Sequence, residues 1–232
     1  FKFSRADGQV VLETLFLLHC YPIIKNFPTR YRQLASGLSI DKNNTREFEK
    51  LMKLVIKCVN DLELFCKNKL QSMMGLDNQY GEVQRERQRM LREQRFFEAI
   101  EAVLEIAEVK KKYLHQVREL KKNKEIITEL HLLDASYLSE LVASIYQLLK
   151  TLCNKNRENQ YEAMNIVRVF SGHVGLGLGA TECILSMLRD NEELMYKISE
   201  NGIIEHYAEL KVRNKQSPEL IKFFKSICVF KG

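Results

Sequence analysis

Apolar residues recur along this chain at three- and four-residue steps, the spacing that lines one face of a helix. Residues 45–70 show it most clearly. Phe48, Leu51, Met52, Val55, Val59, Leu62 and Leu70 fall on one stripe, and Asn44 followed by Glu47 has the form of a capping box. The same spacing predicts a helix over 9–27 that ends near Pro28, because an interior proline removes a backbone donor, and then a short helix through Tyr31, Leu34 and Leu38. The run from Met73 to Gly81 breaks the pattern and reads as a linker or loop. A second helix-rich block starts at Glu82 and passes through Phe96, Phe97, Ile100, Val103, Leu104 and Ile106. Further apolar stripes follow at Ala135 to Cys153, Glu158 to Phe170, Ala180 to Leu188, Glu192 to Ile198, Ile203 to Val212 and Glu219 to Val229. Asp190 with Glu193 has the form of a second capping box, and Ser217-Pro218-Glu219 has an N-cap followed by proline at the first helical position. Asn201-Gly202 and Asn214 supply stops.

No segment alternates with period two between turn signals, so nothing predicts a sheet. Successive helices, each too narrow to bury its own stripe, predict an all-α fold: an armadillo-like helical repeat, or α-solenoid, of short antiparallel helices. Strict sequence repeats are not evident, and the repeat number stays open. The break after the first stripes divides the chain into an N-terminal segment, 1–75, of two to three helices packing on a main helical domain, 82–232.

With 232 residues, 45% of them hydrophobic, ten Gly and three Pro, the chain is neither disordered nor collagen-like. At that length roughly 70% of the extended chain's surface is buried on folding, enough for a core without a metal or disulfide. The six Cys, at 20, 58, 66, 153, 183 and 228, form no CxxC pair and mostly stand in apolar runs, as reduced core thiols of a cytosolic protein do. Zinc and disulfide frameworks are therefore not expected. Val10 to Ile24 is interrupted by Glu13, His19 and Pro22 and falls short of the ~20 apolar residues of a membrane span. It also lacks the basic start and small-residue cleavage site of a signal peptide. The opening on Phe1 rather than Met reads as a piece of a longer protein.

The formal charge of +6 suits an anionic partner without requiring one. Part of it lies between Val109 and Glu125, where Lys110, Lys111, Lys112, Arg118, Lys121, Lys122 and Lys124 describe a solvated helix or a mobile insertion. Aromatics are not interleaved with these cations beyond Tyr113, so nucleic acid is not the expected partner. Gly175 to Ala180 matches the dinucleotide pattern G-x-G-x-x-A, but a helical stripe precedes it where that motif needs a strand. The bland reading is an interhelical loop whose glycines allow positive φ. His19, His115, His131, His173 and His206 have no metal-ligand spacing, and no Ser or Cys stands in a nucleophile elbow. No catalytic residue, metal or cofactor is expected, and the protein does not read as an enzyme. The sequon Asn43-Asn44-Thr45, without a secretory context, reads as chance.

The most informative local feature is Gln84 to Arg95. On a helix Arg85, Arg89 and Arg92 fall at i, i+4 and i+7 and share one face. Guanidinium groups so arranged can hold a multiply phosphorylated ligand or a carboxylate-rich partner surface, because each offers planar bidentate contacts. The same spacing also fits a solvated face eased by Glu86 and Glu93.

Read with the C-terminal third, this segment resembles the RIH domain of inositol trisphosphate receptors and ryanodine receptors. The matching pieces are Arg85 to Gln94, Leu148 to Gln160, Asp190-Asn191-Glu192-Glu193-Leu194 and Phe223 to Val229, in that order. The likeness covers 82–232 and, faintly, 10–70, and is closest to the inositol trisphosphate receptors. It implies an armadillo-like domain on the cytosolic face of the endoplasmic reticulum membrane, whose partners are other domains and subunits of a tetrameric calcium channel. It implies no direct membrane contact by this piece. In the family's ligand-binding copy, an Arg/Lys/Arg helix face and a Tyr-Arg-Lys triplet before Asn-Gln grip inositol trisphosphate beside a β-trefoil. Arg85, Arg89 and Arg92 match the first element. In the second, Asn156 stands for the Tyr and Glu158 for the Lys, which leaves Arg157. The resemblance thus implies a central, regulatory copy that couples ligand binding to gating. The alternatives are a degraded inositol polyphosphate site built from Arg85, Arg89, Arg92 and Arg157, and a generic armadillo scaffold that binds an acidic helical segment.

Overall fold

The computed structural model describes residues 8–35, 42–67, 85–123, 130–188, 191–200, 202–213 and 218–229, and among them every regular element is a helix. In chain order they are α1 (Gly8–Ala35), α2 (Lys42–Cys66), α3 (Arg85–Glu93), α4 (Phe96–Val109), α5 (Lys111–Lys122) and α6 (Leu130–Cys153). There follow α7 (Arg157–Asn165), α8 (Val167–Gly172), α9 (Ala180–Leu188), α10 (Glu192–Glu200), α11 (Ile203–Arg213) and α12 (Pro218–Val229). The result is an all-α helical repeat stack. The linker expected at 73–81, Leu38 and Leu70 lie outside the described residues, as do Asp190, Asn201, Asn214 and Ser217.

Helix α1 departs from the expectation of a stop at Pro28. It runs unbroken for 28 residues with Pro22 and Pro28 inside it. A proline in a helix interior costs about 3 kcal/mol. Here the neighbours of Pro28 offset it: Phe27 and Tyr31 are buried, their rings 5.4 Å apart, and Tyr31 meets Phe48 of α2 at 5.8 Å. Contrary to the sequence expectation, α1 is long and apolar enough for a membrane span, with an 18-residue window of mean hydropathy 1.3. Its inner face, Leu17, Cys20, Ile24, Phe27 and Tyr31, nevertheless belongs to the protein core.

Helix α2 begins at Lys42, so Asn44 lies inside the first turn and does not cap it. Contacts Phe16–Phe65, Cys20–Cys58 and Tyr31–Phe48 descend along one helix as they climb the other, so α1 and α2 are antiparallel. Between α2 and α6 the order is preserved, Phe48 with Tyr137 and Glu63 with Gln147, so these two run parallel, as equivalent helices of successive repeats do. Within the expected all-α helical repeat, α1, α2 and α6 are the long helices, with 28, 25 and 24 residues. Helix α6 is the axis of the stack and touches α2, α4, α5, α7 and α9.

The helix-rich block from Glu82 and the single helix expected from Glu158 to Phe170 each consist of two helices. The block from Glu82 breaks at Gln94–Arg95, where Arg95 has φ 60, and the one from Glu158 breaks at Ile166. The lysine-rich stretch is the helix α5, with Leu114 and Val117 turned into the core. It is tied down at two points. Lys110 pairs with buried Asp134 at 3.2 Å, and Arg118 donates to the Gly175 carbonyl. Asn191, not Asp190, caps α10, accepting from the Leu194 N–H at 3.3 Å. Five cysteines are buried, whereas Cys228, expected in the core, is exposed.

Candidate functional site: a basic cleft between α3 and α7

A helix turns about 100° per residue, so Arg87, Gln88 and Leu91 of α3 share one face while Arg85, Arg89 and Arg92 share another. The first face is buried. Arg87, 2% exposed, donates from Nη1 to the Phe65 carbonyl at 2.8 Å and from Nε to Glu13 at 3.1 Å, with its guanidinium 4.7 Å from the Phe65 ring. One side chain therefore joins α3 to both α1 and α2.

Gln88 joins α3 to the other side of the stack. Its amide donates to the carbonyls of Thr151 at 2.8 Å and Asn154 at 3.1 Å, and its oxygen accepts from Asn156 at 2.9 Å. The last four carbonyls of a helix have no intrahelical donor. Buried amides help fill this role at the end of α6, where Asn159 donates to Leu152 at 2.9 Å and Gln160 to Cys153 at 3.0 Å, and Asn159 also donates to the Gln88 carbonyl of α3 at 3.2 Å. Asn191, which caps α10, donates to Gln160 Oε1 at 2.8 Å. Gln88, Asn159, Gln160 and Asn191 are thus buried amides that tie α3, the end of α6, α7 and α10 together, the step from Asn159 to Gln160 being made by the backbone of α7. In the Asn-Arg-x-Asn-Gln run at 156–160, Asn159 and Gln160 meet the end of α6, while Asn156 caps α7 by accepting from the Asn159 N–H and donates to Gln88.

The outer face of α3 opens on a cleft of about 440 Å³ lined by Arg85, Glu86, Arg89, Arg92, Lys155, Asn156, Arg157 and Glu158. All four arginines singled out in the sequence, Arg85, Arg89, Arg92 and Arg157, border it together. Lys155 is an addition that sequence reasoning missed. It sits in the turn after α6 with φ 53, a left-handed conformation that disfavours any residue with a Cβ. The cleft also faces the N-terminus of α7, where backbone N–H groups and the helix dipole favour negative charge. Two carboxylates offset the cations. Glu86 pairs with Arg89 at 3.0 Å, and Glu158 reaches across from α7 to Arg92, which also donates to Asn159 Oδ1 at 2.8 Å. Arg89 meets Glu93 as well, at 3.4 Å. Among the described residues Arg85, Lys155 and Arg157 make no ion pair.

The glycine loop follows α8 rather than a strand. Gly175, Gly177 and Gly179 have φ of 82, 73 and 94, and a Cβ at Gly177 would lie 3.2 Å from Arg118 Nε. Those glycines let the chain turn beneath Arg118. Among the described residues no three His, Cys, Asp or Glu side chains gather as a metal site.

Against known families, residues 56–232 match the model of the RIH domain of ryanodine and inositol trisphosphate receptors (RYDR_ITPR: RIH domain). The chain belongs to the RIH-domain family. The match starts inside α2 and takes in α3, the cleft and the buried amides. No curated protein matches the sequence. As an RIH domain, the chain is a cytosolic regulatory domain of the calcium-release channel family.

Proposed function

We propose that this RIH domain relays conformational change within its channel, coupling ligand binding in one part of the subunit to gating of the pore. The observation that carries the reading is the set of buried polar contacts around α3: Arg87 reaches Glu13 and Phe65 on one side, and on the other Gln88 accepts from Asn159 of α7, whose sequence neighbour Gln160 accepts from Asn191. Directional bonds of this kind resist shear better than apolar contacts alone. Leaving one buried donor or acceptor unpaired costs about 1–3 kcal/mol. In this reading a shift imposed on α1 and α2 passes through α3 and the backbone of α7 to α10. The segment 1–75 enters as a helical appendage locked on the 82–232 unit. The partners are other domains and subunits of a tetramer at the endoplasmic reticulum. Gln88→Met in the full-length channel tests the relay, with ligand affinity kept and maximal open probability lowered. An unchanged open probability removes α3 from the mechanism.

A second reading has an observation of its own: Arg85, Arg89, Arg92 and Arg157 border one cleft with Lys155 at the N-terminus of α7. That arrangement supports a weak polyphosphate site. Calorimetry of the chain with inositol trisphosphate at low salt tests it, and no heat at millimolar ligand removes it.

A further inference from the structure

The two carboxylates in the cleft are not alike. Glu86 pairs with Arg89 three residues along its own helix, an ordinary surface pair. Glu158 spans two elements, from α7 to Arg92 on α3. Its side chain is 73% exposed against 19% for Arg92, so the carboxylate covers the solvent side of a guanidinium whose inner side is held by buried Asn159. That outer side is where an anion entering the cleft would seat.

We infer that Glu158 is a built-in competitor for Arg92: a small phosphate-bearing polyanion must displace its carboxylate to enter the cleft, so Glu158 sets the cleft's affinity. The inference rests on the anion reading of the cleft given above. Two effects act in the same direction. The competitor is tethered through α7, so it stays at the high effective concentration of a short link and rebinds at once. Once displaced it also remains beside the bound anion and repels it, since Coulomb energy between close charges falls only with distance and screening. Neutralising the carboxylate removes both effects while Asn159 continues to hold Arg92.

The test is titration calorimetry of the 232-residue chain with inorganic pyrophosphate at low ionic strength, comparing the unaltered protein with E158Q and E162Q. Glu162 is exposed one turn further along α7 and does not line the cleft. It controls for net charge. E158Q should bind pyrophosphate roughly tenfold more tightly, a change of about 1.4 kcal/mol, and E162Q should stay within about twofold of the unaltered chain. Equal affinities for the unaltered chain and E158Q overturn the inference while leaving the cleft an anion site. An equal gain in E162Q also overturns it, assigning the effect to net charge. No binding by any of the three at millimolar pyrophosphate overturns the anion reading and the inference with it.

Discussion

Truncating Arg87 to alanine should destabilise the domain by about 3 kcal/mol. Breaking one side of a buried ion pair costs about 3–5 kcal/mol, because the partner charge is stranded. The low end applies here because Glu13 is 16% exposed and can be partly rehydrated. The Phe65 carbonyl also loses its 2.8 Å donor, and the Phe65 ring loses the guanidinium 4.7 Å away. For a chain of this size each kcal/mol is worth about 2–4 °C, so Tm should fall by roughly 6–12 °C. The assay is urea unfolding followed by helical circular dichroism, in which the midpoint should drop with the slope unchanged. Arg87→Met combined with Glu13→Gln, which keeps the volume and removes the stranded charge, should recover most of the loss. A loss under about 1 kcal/mol for Arg87→Ala, or a double variant no better than Arg87→Ala, would refute the claim that this pair locks α3 to α1 and α2.

Stability should also fall at high pH. Burial, with Asp134 beside it, holds the Tyr31 phenol far above its ordinary 10, and burial pushes the Cys66 thiol up to about 12. Both groups ionise in the unfolded chain first, so stability is full below about pH 9 and declines as pH rises towards 12. In urea midpoints taken against pH, Tyr31→Phe should be less stable at neutral pH but lose less above pH 10. Gly177→Ala, placed at φ 73 and 3.2 Å from Arg118, should cost about 1–2 kcal/mol by thermal melting, and Arg118→Ala in the same background should return the part due to the clash. Native protein should expose one thiol, Cys228, to a colorimetric disulfide reagent, with the other five reacting only on unfolding.

Much of this architecture is legible in the residues. The stripes of α2, α4, α6 and α9 stand out because each buried position repeats at helical spacing, and three of the four cleft arginines follow from i, i+4 and i+7 on one helix. Arg157 came only through the likeness to a family. Lys155 was hidden because its left-handed turn carries no glycine to mark it. The prolines of α1 mislead for a physical reason: the local penalty is real, but packing of Phe27 and Tyr31 outweighs it. Gln88, Asn159, Gln160 and Asn191 stand in the pieces that carry the family likeness, but nothing in the sequence marks them as buried. Gln88, Asn159 and Gln160 are buried because they donate to carbonyls at the end of α6 once α3 and α7 close over it, and Asn191 because it donates to Gln160.

That set of buried contacts is the core of the functional account, and a double-mutant cycle on gating tests it most directly. Arg87→Met perturbs the end at α1 and α2, and Asn191→Ala perturbs the end at α10. Each is introduced singly and together into the full-length channel, and the free energy of opening is taken from single-channel open probability across ligand concentration. If α3 carries the signal, either variant interrupts the same relay, and the two effects should be non-additive by roughly 0.5–3 kcal/mol. Effects that add within about 0.5 kcal/mol would mean the two ends act independently, contradicting the relay.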